Sequence, residues 1–291
     1  MNVILYKGKL IDIPDHWNEL SGKQLIAIMK ILYGNKDVSK GRISLFKIIS
    51  GFTWFKIFKM TGYFRFLHLD QWINAPLIPG PFKKYLDRTE RFMHAVDSCT
   101  AFIMETADLT VNLLPVVKTF HGPNDDLANV KAAEFFCSEF YFTQWRETNQ
   151  ISFLNYLVAT LYRPSKRNYD RKGNPDGDIR IAFNPNLTAT YLPKIETWPP
   201  EIKQAIALFY QGAREKKIAN NPRVFEKSDG EGTTLYGLWS VMRMISKGGH
   251  FGDFDKVQDL HVDTLLMELN EVIAEADRME AEMDKIKHSH G

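Results

Sequence analysis

The sequence predicts a mainly α protein, with a helical bundle-like body, an N-terminal β-hairpin and a long amphipathic C-terminal helix. Three observations carry that reading: β-rich runs concentrate in residues 3 to 13, apolar residues recur at helical spacing through much of the remaining chain, and residues 262 to 286 repeat their apolar positions in heptads. The composition agrees, since 291 residues with 44% hydrophobic and 25% charged content are those of a soluble globular chain. That length allows one large domain or two smaller ones, each able to bury a core without disulfides.

The hairpin is read from two short β-rich runs on either side of Lys7-Gly8-Lys9, ending at Pro14. Ser21 with Gln24 three residues later is a capping box, and it opens a helix through Ile28, Ile31 and Leu32 that Gly34-Asn35 closes. From Lys40 to Phe66 the chain holds Lys40, Arg42, Lys47, Lys56, Lys59 and Arg65 with no acidic residue, interleaved with aromatic side chains such as Phe46, Phe52, Trp54 and Phe55. Such a stretch fits an acidic partner, stacked nucleic-acid bases, or rings packed inward with amines reaching water; snorkelling favours the last. Pro76, Pro79, Gly80 and Pro81 mark a loop, and Tyr85 to Asp108 reads as a helix.

Leu113 to Phe120 is a short extended run. Asn129 or Asp126 is the expected cap of a helix over 130–147, whose Phe135, Phe136, Phe140, Tyr141 and Trp145 make an aromatic face directed at the core. A further helix runs from Ile151 to Leu161 and stops before Pro164. Residues 163 to 180 hold Arg163, Lys166, Arg167, Arg171, Lys172 and Arg180 around Gly173 to Gly177, which predicts a basic, solvated loop or second hairpin tip. Pro199-Pro200 opens a helix with Ile202, Ala205, Ile206, Phe209 and Ala213 as its buried stripe.

The flexible break Ser228 to Gly232 predicts a division into a mainly helical body with the hairpin over residues 1–227 and a C-terminal helical region over 233–291. Within the latter, Leu235, Leu238, Trp239, Met242 and Ile245 mark a helix that stops at Gly248-Gly249. Then Val262, Leu265, Leu269, Val272, Ala276, Met279, Met283 and Ile286 alternate spacings of three and four, a heptad seam on a helix of about seven turns. Its flanks are acidic, with Glu268, Glu271, Glu275, Asp277, Glu280, Glu282 and Asp284 set against Arg278. Val262, Leu265, Leu269, Val272, Met279, Met283 and Ile286 are therefore the candidate partner-binding residues; docking of the same stripe on its own domain is the open alternative.

A net charge of +2 gives no global electrostatic argument for nucleic acid or a membrane surface. Cys99 and Cys137 have no second pair, so buried reduced thiols are expected. No apolar stretch reads as a signal peptide or membrane span, which predicts a cytoplasmic protein. The short motifs of phosphate, dinucleotide, serine-nucleophile and zinc-protease chemistry are missing, and no catalytic residue, cofactor or metal is assigned. The nearest approach to a metal cluster is His250, Asp253, Asp255 and His261, although Gly252-Asp253 equally makes a turn and a helix cap.

Three windows carry a resemblance: Ile13-Pro14-Asp15-His16-Trp17-Asn18-Glu19-Leu20-Ser21, then Leu157 to Pro164 with Gly177-Asp178-Ile179-Arg180, and Gly249 to Val257. Together they are similar to tail-module proteins of phages and prophages of Bacteroidetes bacteria, and the last is reminiscent of tail assembly chaperones. The resemblance implies a non-catalytic, chaperone-like tail assembly factor that binds a phage tail or tape-measure protein in the host cytoplasm. The chain is longer than expected for such a chaperone, which leaves a structural virion protein of the tail or connector, with the heptad helix joining copies, as one alternative. A metal-dependent enzyme built on His250, Asp253, Asp255 and His261 is the other.

Overall fold

In a computed structural model of the chain, the described residues are 2–6, 9–34, 38–61, 93–105, 108–167, 169–170, 177–225, 242–243, 245–247 and 251–289. They form a mainly α protein. The chain divides into two compact units, Met1–Ala107 and Asp108–Gly291. The sequence placed a boundary at 228–232 instead, a stretch outside the described residues.

In the first unit β1 (Asn2–Tyr6) pairs antiparallel with β2 (Lys9–Ile13), with Tyr6 opposite Lys9 and Asn2 opposite Ile13. A 3-10 turn over Trp17–Glu19 buries Trp17, whose Nε1 donates to the Phe102 carbonyl at 3.1 Å. α1 (Gly22–Gly34) starts at the capping box: the Ser21 amide donates to Gln24 Oε1 at 2.9 Å and the Gln24 amide donates to Ser21 Oγ at 3.3 Å. The side-chain amide of Gln24 donates to the carbonyls of Ile48 and Ile49, tying the helix start to the end of α2 (Val38–Ser50). Leu25, Ile28 and Met29 of α1 and Leu45, Phe46 and Ile49 of α2 are buried.

The basic aromatic stretch divides its rings. Phe46 and Phe52 point inward and meet edge-on at 6.0 Å, whereas Trp54 and Phe55, at the start of α3 (Trp54–Thr61), are 46% and 65% exposed. Lys47 Nζ lies 4.8 Å from the centre of the Trp54 ring, and Arg42 pairs with Asp97 at 2.9 Å. Residues 62–66 lie outside the described residues, as do 85–92 of the expected helix; 93–104 is helical and buries Val96, Cys99 and Ile103.

The second unit opens on three short antiparallel strands, β3 (Val116–Val117), β4 (Phe120–His121) and β5 (Arg163–Pro164). Gly122, beside β4, admits the Tyr162 ring and the Asn112 amide where a Cβ would overlap both. The Tyr162 hydroxyl donates to the Leu114 carbonyl at 2.8 Å. α4 (Ala132–Thr148) and α5 (Ile151–Leu161) form a hairpin of helices around Asn149, whose left-handed φ of 54° suits an Asn at a helix end. Residues 132–139 of α4 are buried on every face, Phe135 and Phe136 included, and Trp145 is buried too. Half-buried Phe140 and Tyr141 meet Phe153 and Tyr156 of α5. Burial holds the Cys137 thiol up at about 11, as fits a small apolar filler.

α5 packs against α6 (Pro185–Glu196) and α7 (Pro200–Asn220). Asn184 caps α6 by accepting from the Asn186 amide at 2.9 Å, and Pro200 opens α7 with Ala205, Ile206, Phe209 and Ala213 buried. Gly212 allows close approach to Leu109, whose backbone a Cβ would overlap. The short α8 (Pro222–Phe225) follows. Met242 and Ile245 are buried within a helical stretch, while residues 226–241 and Gly248-Gly249 lie outside the described residues.

Two expectations are corrected here. The cap of α4 is neither Asn129 nor Asp126 but Lys131, and its side chain supplies no capping bond. Asn129 Oδ1 instead accepts from the Asn124 amide, and the first-turn amide of Ala132 finds an acceptor in the Leu260 carbonyl at 2.8 Å.

The basic segment 163–180 is not a wholly solvated loop either. Its arms pair through Lys166 N–H to Ile179 C=O (2.8 Å) and Ile181 N–H to Pro164 C=O (2.9 Å), and Arg163 and Arg180 are buried. Both arginines close on two carboxylates. Arg180 Nη1 reaches Glu134 Oε1 at 2.6 Å and its Nη2 reaches Asp178 Oδ2 at 2.9 Å, while Arg163 Nη1 lies 2.8 Å from Glu134 Oε1. Remaining guanidinium donors go to the carbonyls of Thr160, Leu161, Asn129 and Ile181. Two positive and two negative groups leave no net buried charge, which is what makes the burial tolerable. Burial works to raise the Asp178 carboxyl, but hydrogen bonds and charge from Arg180 outweigh it and hold it below its ordinary value. The tip, 171–176, lies outside the described residues.

Candidate functional site

The candidate site is the C-terminal helix, α10 (Val262–Ser289), 28 residues and about 42 Å long. It is rooted before it begins. α9 (Phe254–Gln258) is capped by Asp253, which accepts from the Lys256 amide at 3.1 Å, and it buries Val257. The chain then runs antiparallel to the segment preceding α4: Val262 N–H donates to the Val130 carbonyl at 3.0 Å, Ala132 N–H to the Leu260 carbonyl, and Lys131 stands opposite His261.

His261 reinforces that bridge through both ring nitrogens. Nδ1 lies 3.2 Å from the Ala128 carbonyl and Nε2 lies 3.0 Å from Lys131 Nζ. A carbonyl can only accept and an ammonium can only donate, so the pair of contacts assigns the proton to Nδ1 and leaves Nε2 as acceptor. In the first turn Asp263 pairs with Lys217 of α7 at 2.5 Å, and acidic charge there also complements the helix dipole. Asn270 donates to Asn221, and α8 packs alongside.

The seam residues fall into two groups. Val262, Leu265 and Leu269 are buried within their own unit, together with Leu266, so the first heptads are core. Val272 is half-buried. From residue 275 to 283 every residue is exposed, Met279 at 56% and Met283 at 58% among them. The side chain of Ile286 lies outside the described residues. The seven candidate residues therefore do not form one surface: three anchor the helix, Val272 stands at the transition, and Met279 with Met283 face outward.

The second candidate takes ordinary structural roles. Asp253 is a cap, Asp255 accepts from Gln258 Nε2 at 3.2 Å, and His261 belongs to the bridge, while His250 lies outside the described residues. Among the described residues no three His, Cys, Asp or Glu side chains are grouped to hold a metal ion. A cleft beside the root of α10 is lined by Asp126, Lys216, Lys217, Asn221 and Asp263; within it Lys216 pairs with Asp126 at 2.8 Å and Lys217 with Asp263, so charges of both signs are matched in place. Among the described residues no helix is long and apolar enough to cross a membrane.

Sequence reasoning missed the buried clasp of Glu134, Arg163, Asp178 and Arg180. One signal was present: Glu134 stands alone among Ala132, Ala133, Phe135 and Phe136, where a carboxylate needs a buried cation. No protein family, curated protein or solved structure matches the chain.

Proposed function

We propose that this protein is a non-catalytic phage tail assembly factor that works by surface contact in the host cytoplasm, holding a tail or tape-measure protein against the distal part of α10. The observation that carries this reading is the exposed run of that helix, with Met279 and Met283 outward on a stem whose root is bonded into the folded unit. Methionine is flexible and polarisable, which suits a surface that must adapt to a bound segment. A helix presented this way matches the common mode in which apolar anchors one turn apart engage a partner. The resemblance of three sequence windows to tail-module proteins supports a tail protein as the partner class.

Co-expression of the full chain with the tape-measure protein tests the proposal. Co-purification and increased solubility of the partner are expected; failure of both overturns it. Mass spectrometry of purified particles separates the assembly factor from a structural component. The assembly factor is missing from the finished particle, whereas a fixed copy number there replaces this reading with a virion role.

A further inference from the structure

Resting on the reading that the distal part of α10 holds a partner, we infer that the bound segment is an amphipathic helix whose own apolar seam is flanked by lysine or arginine, pairing with α10 from Val272 to Met283. The first observation is a change in the width of the apolar stripe. With Val262 at heptad position a and Leu265 at d, the positions a and d continue as Leu269, Val272, Ala276, Met279 and Met283. In the rooted part the adjoining e position is apolar as well, Leu266 and Ile273, and these are buried and half-buried. That wide stripe is the form that packs on a globular core. One heptad later the e position is Glu280, and the stripe narrows to a and d alone. The narrow form is the seam of paired helices. The change in pattern therefore coincides with the point where α10 leaves its own unit.

The borders of the seam state what kind of helix fits. Positions e and g set partner choice in paired helices. Here Glu268, Glu275 and Glu282 occupy g and Glu280 occupies e, and the last three are exposed. A second copy fits this stretch badly. In parallel pairing g of one helix faces e of the other, setting Glu275 against Glu280; in antiparallel pairing g faces g, setting glutamate against glutamate again. Like charges at neighbouring positions disfavour both arrangements, whereas Lys or Arg at the partner's e and g positions turns each contact into an ion pair. Ala276 is small and Met279 and Met283 are adaptable, so the apolar part of the seam constrains the partner less than its charged border does.

The test uses the full chain and two synthetic three-heptad peptides with identical Ile and Leu seams, one carrying Lys at every e and g position and one carrying Glu, followed by fluorescence anisotropy in low-salt buffer. The lysine peptide should bind at least about tenfold more tightly than the glutamate peptide. Glu275→Lys with Glu280→Lys and Glu282→Lys should invert the preference. Met279→Glu with Met283→Glu should weaken lysine-peptide binding about tenfold although it adds negative charge, which separates seam pairing from unspecific attraction. All substituted residues are exposed, so unchanged circular dichroism and melting accompany each variant.

The inference is overturned if neither peptide binds, if the methionine variant binds as well as the parent, or if sedimentation shows a dimer that Met279→Glu with Met283→Glu dissolves. A tape-measure protein that co-purifies while both peptides fail leaves the assembly reading standing and removes only this one. Peptide pairing without any tail protein in the co-expression does the reverse.

Discussion

The clasp of Glu134, Arg163, Asp178 and Arg180 and the distal half of α10 are both dense in charge, and they use it in opposite ways. In the clasp the four groups are buried and matched, with carbonyl acceptors for the guanidinium donors left over. On α10 beyond residue 275 the acidic side chains described are exposed around an apolar seam. The clasp holds one conformation of the second unit, because any of its members left without the others would be a desolvated charge. The distal helix should cost little to change in the isolated protein, which leaves its pattern free to serve the proposed partner. Charge by itself distinguished neither role; burial did.

The clasp should respond most strongly to substitution. Arg180→Met leaves the Glu134 and Asp178 carboxylates facing a single guanidinium, and the second unit should lose about 3–5 kcal/mol in chemical denaturation. Adding Glu134→Gln should recover part of that loss, since Arg163 with Asp178 is again neutral. Within α10 the contrast between root and tip is next. Leu265→Ala should cost about 2–5 kcal/mol, the range for a buried leucine, measured in the same way.

Acid should weaken the fold through the clasp. The Asp178 carboxyl is held below its ordinary value of 3.8, so it stays ionised in the fold to lower pH than in the unfolded chain. Its stabilising contribution is complete above that ordinary value and is lost as pH falls through the lowered one. Melting temperature followed from about pH 5 to about pH 3 should fall, and Asp178→Asn, already less stable at neutral pH, should fall less over that window. The smallest effect is expected at the tip: Met279→Ala and Met283→Ala should each shift stability by no more than about 0.5 kcal/mol. A larger loss there would show that the distal seam belongs to the core after all.

Local chemistry was legible in the sequence where local groups decide the outcome. Ser21 and Gln24 form their box, Pro200 starts its helix, and residues 151–161 stop before Pro164, because each depends on a few adjacent residues. The cap of α4 was misread for the converse reason: the acceptor for Ala132 comes from Leu260, far along the chain. Arg163 and Arg180 were read as solvated because composition over a short window shows their sign and not the distant Glu134 that neutralises it. The heptad seam was visible from spacing alone, yet spacing does not say where a stripe stops packing on its own domain; only burial separated Leu269 from Met279.

The residues that carried the resemblance show the same division. Among them Trp17, Leu20, Tyr162, Arg163, Asp178, Arg180 and Val257 are all buried, so these windows report the internal packing of each unit.

The bridge between Lys131 and His261 joins residues 130 apart, and it sets an order of events during synthesis. The first-turn amide of Ala132 and the Val130 carbonyl meet their partners only once the chain has been made through residue 262. At about 5–20 residues per second that is a wait of roughly 7 to 26 s after residue 132 is made. The exposed stretch of α10 is translated only afterwards. A chain interrupted before that point carries neither the closing segment nor the outward-facing methionines.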